Sequence, residues 1–473
     1  MVAKSVVLEK IVCLLLLIGN VYGETYENSK TVCQKCVCTQ NDPTFSINCN
    51  EKGLNHVLAN WPKMADSTKA ITASFSKNSI DTLEKLPGTD KVVEVVFTYC
   101  NIQKVNPEVF TNVPKIKYVD LSHNKITSEE LSPEDFRGTY VNDTWQPLDL
   151  LTLNLAYNEI HMLQNNIFEF LPKLEELNLK GNNFRVLDEA TQLAIDSLKN
   201  LLRLNLADNK LTEITSTTIM NLTNLVELDL SYNKLDFVPA ILSEISQSLE
   251  NLILDGNPIF ELTDSSFINT KNLIQLSMNN MNRLDNILPN AFAPLKKLRT
   301  LKLSNNPLLE ELDAQTFPEH PDLAEVYLNN NSFDDISFEL LEWSKLKIFE
   351  FKGNPLKCSC NLFKIHEKLS KKITRQQDGP ICMDLRVVKS RPVFYLTDDI
   401  CRVTPSHMKK EHVSHSFNVL RITIIAICTL LLLATLGVAA TFLFRWRRIQ
   451  RNLNYPFVSE VRYNPVNIHG GFN

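Results

Sequence analysis

The sequence is short of almost everything that chemistry needs. It holds no phosphate loop, no Gly-x-Ser-x-Gly nucleophile elbow and no His-Glu-x-x-His zinc helix. Its nine histidines are scattered. Only His407, His412 and His415 cluster, in a polar stretch that reads as a solvated stalk rather than a metal or pH site. Charge of one sign is missing too: a net charge of −5 over 473 residues gives no hint of nucleic-acid binding. These absences leave no case for an enzyme or a cofactor. With 44% hydrophobic and 22% charged residues, the composition is nonetheless that of an ordered protein.

What is abundant is one spacing: aliphatic, two residues, aliphatic, one residue, aliphatic, two residues, asparagine. The clearest copy is Leu225, Leu228, Leu230, Asn233 and Leu235. The marker falls twelve times, at Asn78, Cys100, Asn124, Asn158, Asn182, Asn209, Asn233, Asn257, Met281, Asn306, Asn331 and Asn354. The pattern resembles the leucine-rich repeat, which has a period of about 20 to 29 residues. Each copy reads as one short strand with alternate side chains buried. A single copy cannot bury its own apolar face, so neighbours stack into a continuous core. The asparagine amide bonds turn backbone groups that would otherwise be buried unpaired. Cys100 is the permitted substitute and reads as a structural thiol. Met281 cannot make the ladder bond, so a local irregularity is predicted there. Phe110, Phe136, Phe168, Phe267, Phe292 and Phe317 follow their markers by ten to twelve residues and are expected to fill the core beneath the convex side.

The N-terminus carries Lys4 and Lys10, an apolar run over 11–18 and then Val21-Tyr22-Gly23. That pattern is a secretory signal cleaved after Gly23 (residues 1–23). Export into an oxidising compartment turns cysteine pairs into disulfides. Cys33, Cys36, Cys38 and Cys49 precede the first repeat. Cys33-x-x-Cys36 has zinc-ligand spacing, but export favours bridges, and spacing alone leaves three connectivities open. A stapled cap over 24–69 would cover the open end of the core. This plan resembles extracellular leucine-rich-repeat proteins with cysteine-rich flanks, and the resemblance implies Cys33–Cys38 and Cys36–Cys49. Repeats span 70–356. Beyond them Cys358-Ser-Cys360, Cys382 and Cys401 resemble the C-terminal flank of the same class, over 357–401, which implies Cys358–Cys382 and Cys360–Cys401. Between them, Leu362, Ile365 and Leu369 have helical spacing that suits a lid.

A polar stalk over 402–421 leads to residues 422–444, which carry no charge and would span about 35 Å as a helix. Arg445, Arg447, Arg448 and Arg451 follow, placing the tail in the cytoplasm. The expected fold is thus an α/β solenoid, a leucine-rich-repeat horseshoe with disulfide-stapled caps, plus one transmembrane helix. The chain reads as a type I single-pass protein of the plasma membrane with its N-terminus outside. The tail, 445–473, is too short for a catalytic or Toll-type signalling domain. Within it Tyr455 with Val458 and Tyr463 with Val466 fit the loose Tyr-x-x-aliphatic pattern that resembles a sorting signal.

Glycosylation acceptors are Asn142, Asn221 and Asn330. Asn142 lies in an insertion, Ser132 to Pro147, that lengthens the step from Asn124 to Asn158 to 34 residues. The exposed position between the second and third aliphatics gives a column of candidate contacts that runs Ser74, Val96, Asp120, Asn154, Asn178, Asn205, Asp229, Ile253, Ser277, Lys302, Tyr327 and Glu350. Tyr99, Tyr118, Tyr157 and Tyr232 stand around it at positions predicted to be exposed. Asp120, Asn154, Asn178, Asn205 and Asp229, with Tyr118, Tyr157, Tyr232 and Tyr327, are the binding candidates. Tyr118 and Tyr327 are the better ones because they lie on the strands. The resemblance implies a recognition or adhesion receptor for an extracellular or cell-surface protein, with a second copy or a co-receptor among the candidate partners. The alternative is an innate-immune co-receptor or decoy for a soluble or microbial ligand.

Overall fold

The computed structural model describes residues 29–402 apart from 215–220, 246, 319–321 and 375–378. The signal segment, the 422–444 run and the tail with Tyr455, Val458, Tyr463 and Val466 lie outside the described residues. Among the described residues no helix is long and apolar enough to cross a membrane.

Fourteen strands form one sheet. Val37–Asn41 and Thr44–Asn48 pair antiparallel in the N-terminal cap. From there every neighbour is parallel, through Ala70–Ser74 and Val92–Val96 to Ile348–Glu350. The register joins equivalent positions, so that Asp120, Asn154, Asn178, Asn205, Asp229 and Ile253 stand side by side in one row. One slip, at Val93/Glu94, interrupts it.

The marker asparagines are buried and saturated. Asn124 accepts from the backbone N–H of Cys100 (2.9 Å) and Ile102 (3.1 Å), while its amide donates to the carbonyls of Phe97 and Leu121. Asn182, Asn209 and Asn233 repeat this reach into the preceding repeat. Cys100 is buried and free of any disulfide. It fills the place of the amide by donating its thiol to Phe75 O at 3.0 Å, and burial pushes that thiol's pKa up. At Met281 the expected irregularity does not appear in the strands, because Gln275–Ser277 stays in register with both neighbours. Met281 donates its N–H to Asn306 Oδ1 (2.7 Å), and its side chain is buried. Only the sideways bonds of the missing amide are lost.

Phe110, Phe136, Phe168, Phe267, Phe292 and Phe317 are all buried. Ring centroids lie 5.9 Å apart for Phe267–Phe292 and 5.0 Å for Phe292–Phe317. This filling leaves little regular structure on the convex side. Within the described repeats the one α-helix is Glu189–Asp196, capped by Asp188, which accepts from Thr191 N at 3.0 Å. It falls in the 27-residue step from Asn182 to Asn209, the longest apart from the insertion. Elsewhere the described return path is turns, 3-10 segments such as Pro133–Phe136 and Ala240–Ser243, and short parallel pairs, Thr82–Leu83 with Lys104–Val105 and Glu261–Leu262 with Asn286–Ile287. The repeats are therefore mainly β, with less helix than an α/β solenoid implies.

Disulfides join Cys33 to Cys38 and Cys36 to Cys49 at one end, and Cys358 to Cys382 and Cys360 to Cys401 at the other. The lid helix is Cys360–Lys368, its first turn capped by Ser359 Oγ and its Leu362 and Ile365 buried.

Candidate binding face

The candidate site is the face of the parallel sheet that carries the row of equivalent positions, whose members are half-buried apart from the buried Asp120 and Ser277. Its strand side chains are set by the register, and what each can offer depends on what it already bonds. Asp120, Asn154, Asn178, Asn205 and Asp229 each accept, through Oδ1, the backbone N–H two residues on: Ser122, Ala156, Lys180, Ala207 and Ser231, at 2.8 to 3.0 Å. They cap the end of their own strand. Asp120 is buried, and Asn205 also donates to Asp229 at 3.2 Å. Five of the nine binding candidates therefore have a structural task first.

After Asp229 the arrangement changes. Ile253 has no oxygen to offer. Instead the residue two further on reaches forward: Asp255 accepts from Asn279 N (2.8 Å), Asn279 from Ser304 N (2.7 Å) and Asn329 from Lys352 N (2.8 Å). The strand position is released from capping, and there the residues diversify into Ile253, Ser277, Lys302, Tyr327 and Glu350.

The tyrosines divide likewise. Tyr118 lies on a strand, half-buried, its hydroxyl donating to Asp120 Oδ2 at 3.2 Å. Burial, and secondarily the Asp120 carboxylate, push its pKa up to about 12, so it stays protonated. Tyr327 is also on a strand, its pKa raised by burial and by Glu325. Tyr157 and Tyr232 are not on the sheet face. They occupy the left-handed residue before the marker, with φ of 53° and 54°. Their rings lie flat over Gly181 and Gly256, where a Cβ would come within 2.3 and 2.5 Å of ring carbon. Tyr99 and Tyr232 are exposed, whereas Tyr118 and Tyr157 are only partly so, against the expectation that all four would be exposed. At this edge His123 is sandwiched between Tyr99 (4.2 Å) and Tyr157 (4.4 Å). Sequence reasoning passed over His123, although it occupies the same position before its marker as both tyrosines.

The insertion forms a hairpin, Tyr140–Val141 with Thr144–Trp145, and Asn142 sits exposed in its turn. Arg137 anchors it, stacked on Trp145 (5.3 Å) and Phe170 (5.6 Å) and paired with Glu134 at 2.7 Å. Asn221 is exposed and bonded to Asp196. Asn330 is exposed, but its amide donates to Asn305 at 2.8 Å and lies over Gly353.

Family models described as leucine-rich repeats match residues 185–235 and 247–308, and a further one matches 114–129. Matched in sequence and stacked in register, these units decide the fold. The chain carries leucine-rich repeats, stacked as a solenoid. Its solenoid, closed by disulfide-bonded caps, is similar to Tsukushi of Gallus gallus, 28% identical over 274 residues, which are 57% of this chain and 63% of that protein. It is also similar to CD180 antigen of Mus musculus, 26% identical over 109 residues, 23% of this chain and 15% of that one. The match thus spans less than two thirds of either relative. Among solved structures, the solenoid resembles a chain of the mouse RP105/MD-1 complex, with a TM-score of 0.47 and 19% identity over 70% of this chain and 58% of that one. It also resembles a chain of an octameric complex of Latrophilin 3, Unc5D and FLRT2, with a TM-score of 0.42 and 18% identity over 78% of this chain and 99% of that one.

Proposed function

We propose that the chain is a cell-surface recognition protein that binds a protein partner across the second half of its sheet face, and that residues 422–444 hold it in the plasma membrane. The observation that carries the reading is the release of the strand position after Asp229, which turns a row of capping groups into a row of varied side chains. Ile253, Lys302, Tyr327 and Glu350 supply apolar, cationic, aromatic and anionic character in adjacent or nearly adjacent repeats. Recognition of another protein draws on such a mixture, with aromatic anchors contributing most. The four disulfides fit an extracellular setting.

The test is cell aggregation. Non-adherent cells expressing the full-length protein are mixed with labelled cells that lack it. The expected result is clustering, either among expressing cells or with the labelled ones, that Tyr327→Ala with Lys302→Glu abolishes at unchanged surface level. Clusters untouched by that double change would move the site off this half of the sheet. An absence of clusters at verified surface expression would sink adhesion and favour the co-receptor or decoy reading, for which a soluble ligand should then bind the purified protein.

A further inference from the structure

The C-terminal cap ends in a hairpin whose outward surface is apolar. Strand Ile381–Asp384 pairs with Lys389–Pro392, and its inner edge is bonded to the last repeat through Cys358 N to Met383 O (3.0 Å) and Met383 N to Leu356 O (2.7 Å). Alternation then sorts the side chains. Cys382 and Asp384 point inward and are buried, while Ile381, Met383 and, past the strand end, Leu385 are exposed. The turn adds Val387, 63% exposed, and Val388, 80% exposed. Val388 also holds a φ of 49°, rare for a β-branched residue. Among the described residues, nothing covers this surface.

Beneath the tip the hairpin is braced. Asp384 accepts from Arg386 (2.9 Å) and Arg391 (3.0 Å), and Arg386 also reaches Asp399 (3.1 Å). These guanidiniums hold the Asp384 carboxyl well below the usual range. The two arginines are thereby compensated, whereas exposed Lys389 has no carboxylate partner among the described residues and leaves the tip apolar with a cationic flank.

We propose that this hairpin contacts the outer surface of a phospholipid bilayer, with Leu385, Val387 and Val388 among the upper acyl chains and Lys389 at headgroup level. The proposal rests on the reading of 422–444 as a membrane anchor. Cys401 ties the cap to the chain, and only residues 403–421 separate it from that run. Nineteen residues reach about 65 Å fully extended and about 25 Å as a coil, which keeps the cap within touching distance of a bilayer. A second copy fits less well. The free edge, Lys389–Pro392, carries Lys389, Arg391 and Pro392, the residue types that block strand addition. An apolar tip with a cation at its rim is a composition that settles at a membrane interface.

The test uses the full-length protein in phosphatidylcholine nanodiscs, with lipid either plain or brominated near the headgroup end of its acyl chains. Val387→Trp should add an emission that brominated lipid quenches by about two-fold, while Ile268→Trp, on an exposed site of the repeats (56%), should add one that is not quenched. Combining Val387→Trp with Leu385→Ser and Val388→Ser should relieve the quenching. Native Trp446, two residues past the apolar run, reports the anchor itself. If Trp446 is quenched and the Val387→Trp emission is not, the hairpin proposal is overturned while the anchor stands. If the parent protein shows no quenching at all, the anchor reading fails and the proposal with it. A blue-shifted, unquenched and concentration-dependent Val387→Trp emission would mean that a second copy covers the face, which also overturns it.

Discussion

Two stretches of the sheet, Asp120 to Asp229 and Asp255 to Asn329, solve one problem in two ways. In every repeat a backbone N–H emerges just past the strand and needs an acceptor. From Asp120 to Asp229 each repeat supplies it from its own strand, two residues back. From Asp255 to Asn329 the acceptor comes from the preceding repeat, 23 to 25 residues back. The first solution makes each repeat self-sufficient but fixes the strand residue as Asp or Asn. The second bonds repeats to one another and frees the strand residue. Stability and variety are thus traded differently along one array. The second device also occurs at the N-terminal edge, where Asn50 accepts from Ser76 N at 2.9 Å, but it runs through successive repeats only from Asp255 to Asn329.

That difference predicts unequal responses to the same chemical deletion. Asn279 accepts from Ser304 N and donates to Asp255 Oδ2 (3.2 Å) and Ser277 Oγ (2.9 Å). Asn279→Ala removes all three bonds and a link between repeats. A loss of about 2–3 kcal/mol is expected. In denaturant the unfolding of the second half should separate from that of the first, seen as a split transition, because nearest-neighbour coupling holds a solenoid together. A single transition with an unchanged midpoint would erase the distinction between the halves.

Much of this was legible in the sequence, and the part that was not has a physical reason. The marker spacing located all twelve strands, since burial of alternate aliphatics leaves a periodic trace. It also placed the row of equivalent positions, because in-register parallel pairing keeps them adjacent, but not its exposure: Asp120 and Ser277 are buried and the other members are half-buried. What spacing does not carry is hydrogen-bond allegiance. Asn178 and Asn329 are the same side chain two positions apart within the repeat, yet one caps its own strand and the other its neighbour's. Tyr157 and Tyr232 misled for a related reason. The left-handed backbone that recurs before the markers holds them at the edge, and Gly181 and Gly256 make room for their rings. The cap hairpin left no periodic trace, because its exposed apolar residues belong to no repeat.

The insertion extends the self-sufficient half and adds a charge. Asp135 is buried and bonded to Ser132 N at 2.8 Å and Ser132 Oγ at 3.1 Å. Burial pushes its carboxyl up to about 6, from an ordinary value of 3.8. Between those values the folded chain holds more proton than the unfolded one, so stability falls as pH rises through the window and the cost is complete above about 6. Asp135→Asn keeps an acceptor for Ser132 and removes the ionisation. It should raise stability at pH 7 by on the order of 2 kcal/mol and flatten the profile between pH 4 and 6. The denaturant midpoint measured across that range checks both. A steeper profile in the variant would reverse the assignment.

The smallest effect is the most discriminating. Asn178→Ala deletes one bond, from Lys180 N, within a single repeat. A loss of about 1 kcal/mol is expected, with the unfolding of the array still a single transition, because no link between repeats is touched. The freed Lys180 N–H lies near the surface, and water can take the place of the lost oxygen. Set against Asn279→Ala, the same side-chain deletion removes one bond inside a repeat instead of three bonds that include links between repeats. If Asn178→Ala were to cost as much and split the transition as well, coupling in this solenoid would reside in the marker asparagines alone, and the change of capping after Asp229 would be a change of side chain without a change of mechanics.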